Sequence, residues 1–353
     1  MLQGNQPDLF TGLPNRAPVV VAWGAGTDST AMILEMLSRG DPIDLVMFAD
    51  TGDEHPRTYA FIEFFLPWLK DRDVQAEVVR YQPSTFKNWP PYKSLSENCL
   101  TNGTLPSIAF GFSSCSQKWK AAPQHTFLKS WEPAQRTWAA GGKVQKLIGY
   151  DCSPRDNIRY RQVAALDDPL YSFRYPLREW GWARDACDKR ILAEGFPLHP
   201  GKSSCMMCTA VKPEELHDAP VWALRRIVLM EARAAPRLTS CEGLWRKAIK
   251  GTRTGQPRPG SMTAYIRQQE LLKSADIDRI IEMAPKALVR FQDAQASLPV
   301  QNRTPLADWL QLFDALDERI FDNPDKPDRY LSTLHQAISE HKADPAEARQ
   351  IAA

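Results

Sequence analysis

The run Gly24-Ala25-Gly26-Thr27-Asp28-Ser29 follows a short apolar stretch and opens a segment of helical spacing. A strand that turns through Gly-x-Gly into a helix offers backbone N–H groups that no helical carbonyl can reach, along with the positive end of the helix dipole. Phosphate suits such a turn. Gly24 and Gly26 let a ligand approach the backbone closely, and Ser29 and Thr30 add hydroxyl donors at the helix start. No Gly-Lys-Ser/Thr follows, so the loop is not of the Walker type, and Thr27-Asp28-Ser29 stands where a dinucleotide fingerprint would space its third glycine. A tight turn that needs glycine for steric reasons alone is the competing reading. Asp50-Thr51-Gly52 ends the next apolar run, at the edge where open parallel sheets bind ligands.

Cysteine supplies the second set of chemistry-bearing residues. Cys205-Met206-Met207-Cys208 places two thiols within reach of one metal ion or one edge of an iron-sulfur cluster, and Cys115, followed by Lys118 and Lys120, precedes it. No second Cys-x-x-Cys exists to complete a zinc ribbon. The position is also wrong for a thioredoxin-type pair, which would follow the first strand of a small βαβ domain. Cys152 is a candidate fourth ligand, giving a structural cluster or a tetrahedral zinc, and ordinary buried thiols remain an alternative. Cys99, Cys187 and Cys241 are assigned to packing.

Elements must position these residues. Short β-branched runs at residues 18–23, 43–49, 74–81 and 143–150 alternate with helical spacing over 28–39 and 56–72, which predicts an α/β fold with a parallel twisted sheet and helices on both faces. Residues 82–114, rich in Pro, Asn, Ser and Gly, read as a long irregular insertion. Strand signals vanish after about residue 213, and the remainder reads as helices broken at Pro236, Pro257, Pro285, Pro299 and Pro324. The expected organisation is an N-terminal extension over 1–17, a domain over 18–215 and a mainly helical, basic region over 216–353.

At 353 residues, with 43% hydrophobic and 24% charged residues, the chain can bury a sizeable core. Residues 1–18 carry no cationic stretch followed by an apolar run, and no eighteen-residue apolar run appears, so neither a signal peptide nor a membrane span is expected. Seven cysteines without a secretory signal point to a reducing, cytoplasmic setting. The net charge of +2 excludes an extreme polyanion binder yet hides a local excess: residues 225–273 carry eleven Lys and Arg against Glu231, Glu242 and Glu270. That stretch could follow a nucleic-acid backbone, with Trp245 and Tyr265 to stack on bases and a turn at 251–255 to admit substrate, or form a solvated face or a contact with another subunit.

The loop resembles the pyrophosphate loop of the N-type ATP pyrophosphatases, Ser-Gly-Gly-x-Asp-Ser, with Gly24 in place of its Ser and Ala25 in place of its first Gly. The order of Gly-rich loop, Cys plus Lys, and Cys-x-x-Cys over residues 18–215 resembles the phosphoadenylyl-sulfate reductase family of the adenine nucleotide alpha hydrolases. Tyr175-Pro176-Leu177-Arg178-Glu179-Trp180 is similar to that family's Pro-Leu-x-x-Trp segment, and residues 149–159 are loosely similar to its arginine-bearing region.

The resemblance implies ATP with Mg2+ held by Trp23, Gly24, Ala25, Gly26, Thr27, Asp28 and Ser29, with the adenosine against Asp50, Thr51 and Gly52 and further contacts from Gly149, Arg155 and Arg159. It implies Asp28, Ser29, Lys118 and Lys120 as catalytic groups and Cys115, Cys205 and Cys208 as cluster ligands, with Ser114 where iron-sulfur members have another cysteine. The implied function is cleavage of ATP between the α- and β-phosphates to adenylate an acceptor, a nucleobase or nucleic acid, for substitution by sulfur from a donor protein or by another nucleophile. The two other readings are a reductase of adenylyl sulfates, which the absence of any cysteine after Cys241 disfavours, and a nucleotide-sensing or nucleic-acid-binding module without catalysis. A homodimer is compatible with all three.

Overall fold

The computed structural model describes residues 16–86, 89–112, 114–251, 256–322 and 327–343. The N-terminal extension up to residue 15, residues 252–255 of the expected turn, Pro324 and residues 344–353 therefore lie outside the described residues. Within them the chain forms two compact units. One takes residues 16–50, 54–81 and 118–203, and the other takes 51–53, 82–117 and 204–343.

The first unit is built on a five-stranded, all-parallel sheet with the order β3-β2-β1-β4-β5. Its strands are β1 (Val19–Trp23), β2 (Leu45–Asp50), β3 (Ala76–Arg80), β4 (Val144–Ile148) and β5 (Tyr171–Arg174). Four of these were expected. The fifth escapes the sequence because Tyr-Ser-Phe-Arg is too short and polar to stand out from the Asp- and Pro-containing residues around it. β1 and β2 are almost entirely buried, as parallel strands covered on both faces must be.

Alternate residues of β1 feed two cores. Val19, Val21 and Trp23 pack with Met32, Ile33 and Met36 of helix α1 (Thr27–Arg39) and with Phe61 and Phe65 of α2 (Pro56–Lys70). Val20 joins Met47, Val144 and Tyr171 against Leu128 of α4 (Ala122–Ser130) and Ala134 of α5 (Glu132–Ala139). Helices therefore cover both faces of the sheet. Gly40, in the left-handed region at φ 69°, ends α1 where the sequence places the stop.

In the second unit, residues 82–114 are less irregular than their composition suggests. Helix α3 (Leu95–Asn102) forms there behind a capping box, in which Ser94 Oγ accepts from the Glu97 N–H and the Glu97 carboxylate accepts from the Ser94 N–H. Helices α8 (Val221–Ala234), α9 (Met262–Gln268), α10 (Ser274–Gln295), α11 (Leu306–Asp314) and α12 (Pro327–Ala343) follow. The first unit's α6 (Pro154–Val163) and α7 (Arg184–Glu194) complete the set used below. Pro285 does not break α10: the helix runs through it, held by Ile277, Ile280, Ala284, Leu288 and Phe291 on one buried face.

Candidate functional site

Sheet order places β2 and β3 on one side of β1, and β4 and β5 on the other. Chains leaving the carboxyl ends of β1 and β4 diverge there, which opens the crevice where open α/β sheets take ligands. Two glycine-bearing turns meet at that point. Gly24–Ser29 leaves β1 and Gly149 leaves β4, and a Cβ on Gly149 would stand 2.9 Å from the Ser29 Cα and 3.0 Å from its nitrogen. Glycine at 149 is thus required by close approach of backbone to backbone.

The turn itself is knitted internally. The Gly24 N–H donates to Ser29 Oγ at 3.1 Å, and Ser29 Oγ donates to the Gly26 carbonyl. The Thr27 N–H and hydroxyl both donate to the Gly201 carbonyl at 2.9 Å. Gly26 is extended, at φ −109°, and a Cβ there would lie 2.8 Å from Ser203 Oγ. Ala25 has φ 56°, the left-handed conformation in which glycine would be unstrained. Trp23 is not at the surface of the turn: it is buried against Phe48, Phe61 and Phe65, and its indole N–H donates to Thr30 Oγ1 at 3.0 Å. Its role is to hold the base of the turn.

Asp28 opens α1 beside a group of carboxylates. Burial pushes its carboxyl up to about 6, with Asp151 and Asp156 adding to the effect and Arg184, 2.8 Å away, opposing it. Burial and the adjacent Asp28 carboxyl also raise the Cys187 thiol, which keeps it neutral. Asp151 is buried and accepts from the Ser153 N–H at 2.9 Å. Sequence reasoning missed Asp151, Arg184, Gly201 and Ser203 as neighbours of this turn. Asp151 was legible only as part of the segment after β4, and Gly201 and Ser203 only as flanks of the Cys-x-x-Cys.

Other candidate residues are engaged in the fold. Asp50 is buried, accepting from Tyr59 Oη at 2.8 Å and from Arg80 at 2.7 Å. Lys120 Nζ donates to Glu54 Oε1 at 2.9 Å, and Lys118 stands over the Tyr81 ring at 4.8 Å. Arg155 is exposed, while Arg159 pairs with Asp156 at 3.1 Å and covers the Tyr150 ring.

In the second unit, Thr51 Oγ1 lies 3.1 Å from the buried Cys205 Sγ, the Met206 N–H donates to the Asp53 carbonyl, and Cys208 Sγ accepts from the Ala210 N–H at 3.5 Å. Gly52, at φ 77°, is required by Ser94, whose Cβ would be 2.6 Å from a side chain there. Asp53 is buried, with both oxygens taken by Ser96 at 2.6 Å, and burial pushes it up to about 7. The Cys115 N–H donates to Ser107 Oγ at 2.8 Å. In the first unit, Cys152 Sγ faces the Leu177 carbonyl at 4.0 Å. Among the described residues no group of three or more His, Cys, Asp and Glu stands arranged to hold a metal ion.

No model of a known protein family matches the chain, and no curated protein matches it at a significant level.

Proposed function

We propose that this chain is an ATP pyrophosphatase of the adenine nucleotide alpha hydrolase type, which adenylates an acceptor, a nucleobase or nucleic acid, and releases pyrophosphate. The observation that carries the reading is the meeting of the Gly24–Ser29 turn with Gly149 at the point where the strand order reverses between β1 and β4. Support comes from the start of α1, where the Thr27 N–H is bonded to the Gly201 carbonyl and the Asp28 and Ser29 N–H groups have no acceptor within the helix.

In this reading an acceptor oxygen attacks the α-phosphorus, its proton passes to solvent or a base, and the bond to the β-phosphate oxygen breaks with its electron pair on pyrophosphate. The adenylated oxygen then leaves as AMP when sulfur or another nucleophile displaces it. The backbone amides and Mg2+ would stabilise charge on the expelled pyrophosphate. Asp28, at the helix start, is the residue of this turn suited to the metal ion that accompanies ATP, and it is ionised above about pH 6.

Incubation of the purified chain with α-labelled ATP and candidate acceptors tests this. AMP and pyrophosphate are the expected products, and ADP with orthophosphate overturns the reading. A second reading, a nucleotide-binding module without turnover, is favoured by the engagement of Asp50 and Lys120 in ion pairs. Saturable ATP binding with no AMP formed in the presence of any acceptor selects it.

A further inference from the structure

The basic stretch noted in the sequence separates, in the second unit, into two populations. Arg226 forms a two-pronged pair with Asp314 at 2.6 and 2.8 Å, Arg267 pairs with Asp278 at 2.6 Å, and Arg237 donates to the Asn102 carbonyl. These cations serve the fold. Arg246, Lys247 and Lys250 are exposed, and among the described residues no ion pair joins them or Arg258 to a carboxylate. They sit on one element, a hairpin closed by an antiparallel bridge in which Ile249 and Arg258 exchange backbone bonds of 2.7 and 2.9 Å. Between Glu242 and Glu270 the sequence contains no carboxylate.

The root of this hairpin is rigidly built. Glu231 of α8, only 6% exposed, accepts from the N–H groups of Leu244, Met262 and Thr263 and from Ser261 Oγ, at 2.5–2.9 Å. Glu242 accepts from the N–H groups of Ala248 and Gly260 at 3.2 Å. Trp245 is buried and donates to the Val211 carbonyl at 2.8 Å, so it is not available to stack on a base, contrary to the expectation from sequence. It acts instead as a platform: the Arg258 guanidinium lies 4.3 Å over its ring. Both root carboxylates thus accept from backbone or hydroxyl donors, and among the described residues neither forms an ion pair with a cation of the arm.

We infer that the hairpin over 246–250 and 256–258 is a binding site for the phosphodiester backbone of a nucleic acid. Four cations on a scaffolded, carboxylate-free arm match a repeating anion, since neutralised phosphates release condensed counterions. An acidic protein is the weaker match. Protein interfaces are centred on apolar and aromatic groups with charge depleted at the middle, and among the described residues of this arm Ile249 is the one large hydrophobic that is exposed. The inference does not rest on the ATP reading, because binding is measured without nucleotide.

The test is titration of the full chain with a fluorescent single-stranded oligonucleotide over a range of salt concentrations. Lys247→Ala with Lys250→Ala is compared with a control of equal charge change, Lys70→Ala with Lys286→Ala, both sites exposed. For a single strand, losing two phosphate contacts should reduce the slope of log K against log salt by about 1.4, while the control keeps the parental slope. Lys247→Arg with Lys250→Arg should retain it. An unchanged slope in the hairpin variant, an equal loss in the control, or competition by polyglutamate as effective as by polynucleotide overturns the assignment.

Discussion

Gly26 and Asp28 carry the strongest consequences at the scale of single residues. A methyl group at Gly26 would meet Ser203 Oγ at 2.8 Å and the Ser203 nitrogen at 3.2 Å, while its φ of −109° is open to any residue. Gly26→Ala should therefore cost about 1–3 kcal/mol through overpacking alone, read from the denaturation midpoint, and Ser203→Gly on the same chain should recover most of the loss. Recovery failing would place the cost elsewhere.

Asp28 behaves differently. Its folded pKa of about 6 lies above the ordinary 3.8, so the folded state binds its proton more tightly than the unfolded chain does. Stability from this group is present below about pH 4 and is lost as pH rises toward 6. Asp28→Asn should stabilise the protein by about 1–2 kcal/mol at pH 7.5, with the difference fading below pH 4, and should abolish AMP formation. The loss of Arg184's partner is why the gain is set below the full shift. A variant less stable than the parent at pH 7.5 would contradict the account.

At the scale of elements, β4 carries an unusual passenger. Lys146 lies buried in the strand, 5.5 Å from the Tyr171 ring, and burial pushes its amine down to about 8, with Asp168 opposing the shift. Below pH 8 the folded chain holds a desolvated charge that the unfolded chain carries in water, so stability rises between pH 8 and 10.5. Lys146→Met should raise stability by about 2–3 kcal/mol at pH 7 and by progressively less up to pH 10.5. Chemical denaturation at three pH values decides it. Sequence reading placed a strand over 143–150 without singling out this lysine, which a parallel strand covered on both faces buries.

For the molecule as a whole, division into two compact units implies that a ligand of one need not stabilise the other equally. ATP at a hundred times its dissociation constant should stabilise the sheet-bearing unit by about 2.7 kcal/mol. Hydrogen exchange resolved by segment provides the check: protection should rise in β1, α1 and β4. Protection rising only in α8 to α10 would move the nucleotide to the other unit and sink the proposed site.

Much of this was written in local sequence. The apolar run before Gly24, the helical spacing of Met32, Ile33 and Met36, and the glycine at 40 depend on neighbours a few residues away, so β1, the turn and α1 were readable in place. The same holds for three further strands and for the alternation that makes the sheet parallel. Tertiary structure alone decided the rest. It brought Gly149 and Ser203 against the turn from residues far along the chain, turned Trp23 and Trp245 inward, and divided the cations of 225–273 between internal partners and an exposed hairpin. The physical reason is range. Periodicity and capping act over one or two turns of chain, whereas burial, pairing and close approach are set by which segments the folded core brings together.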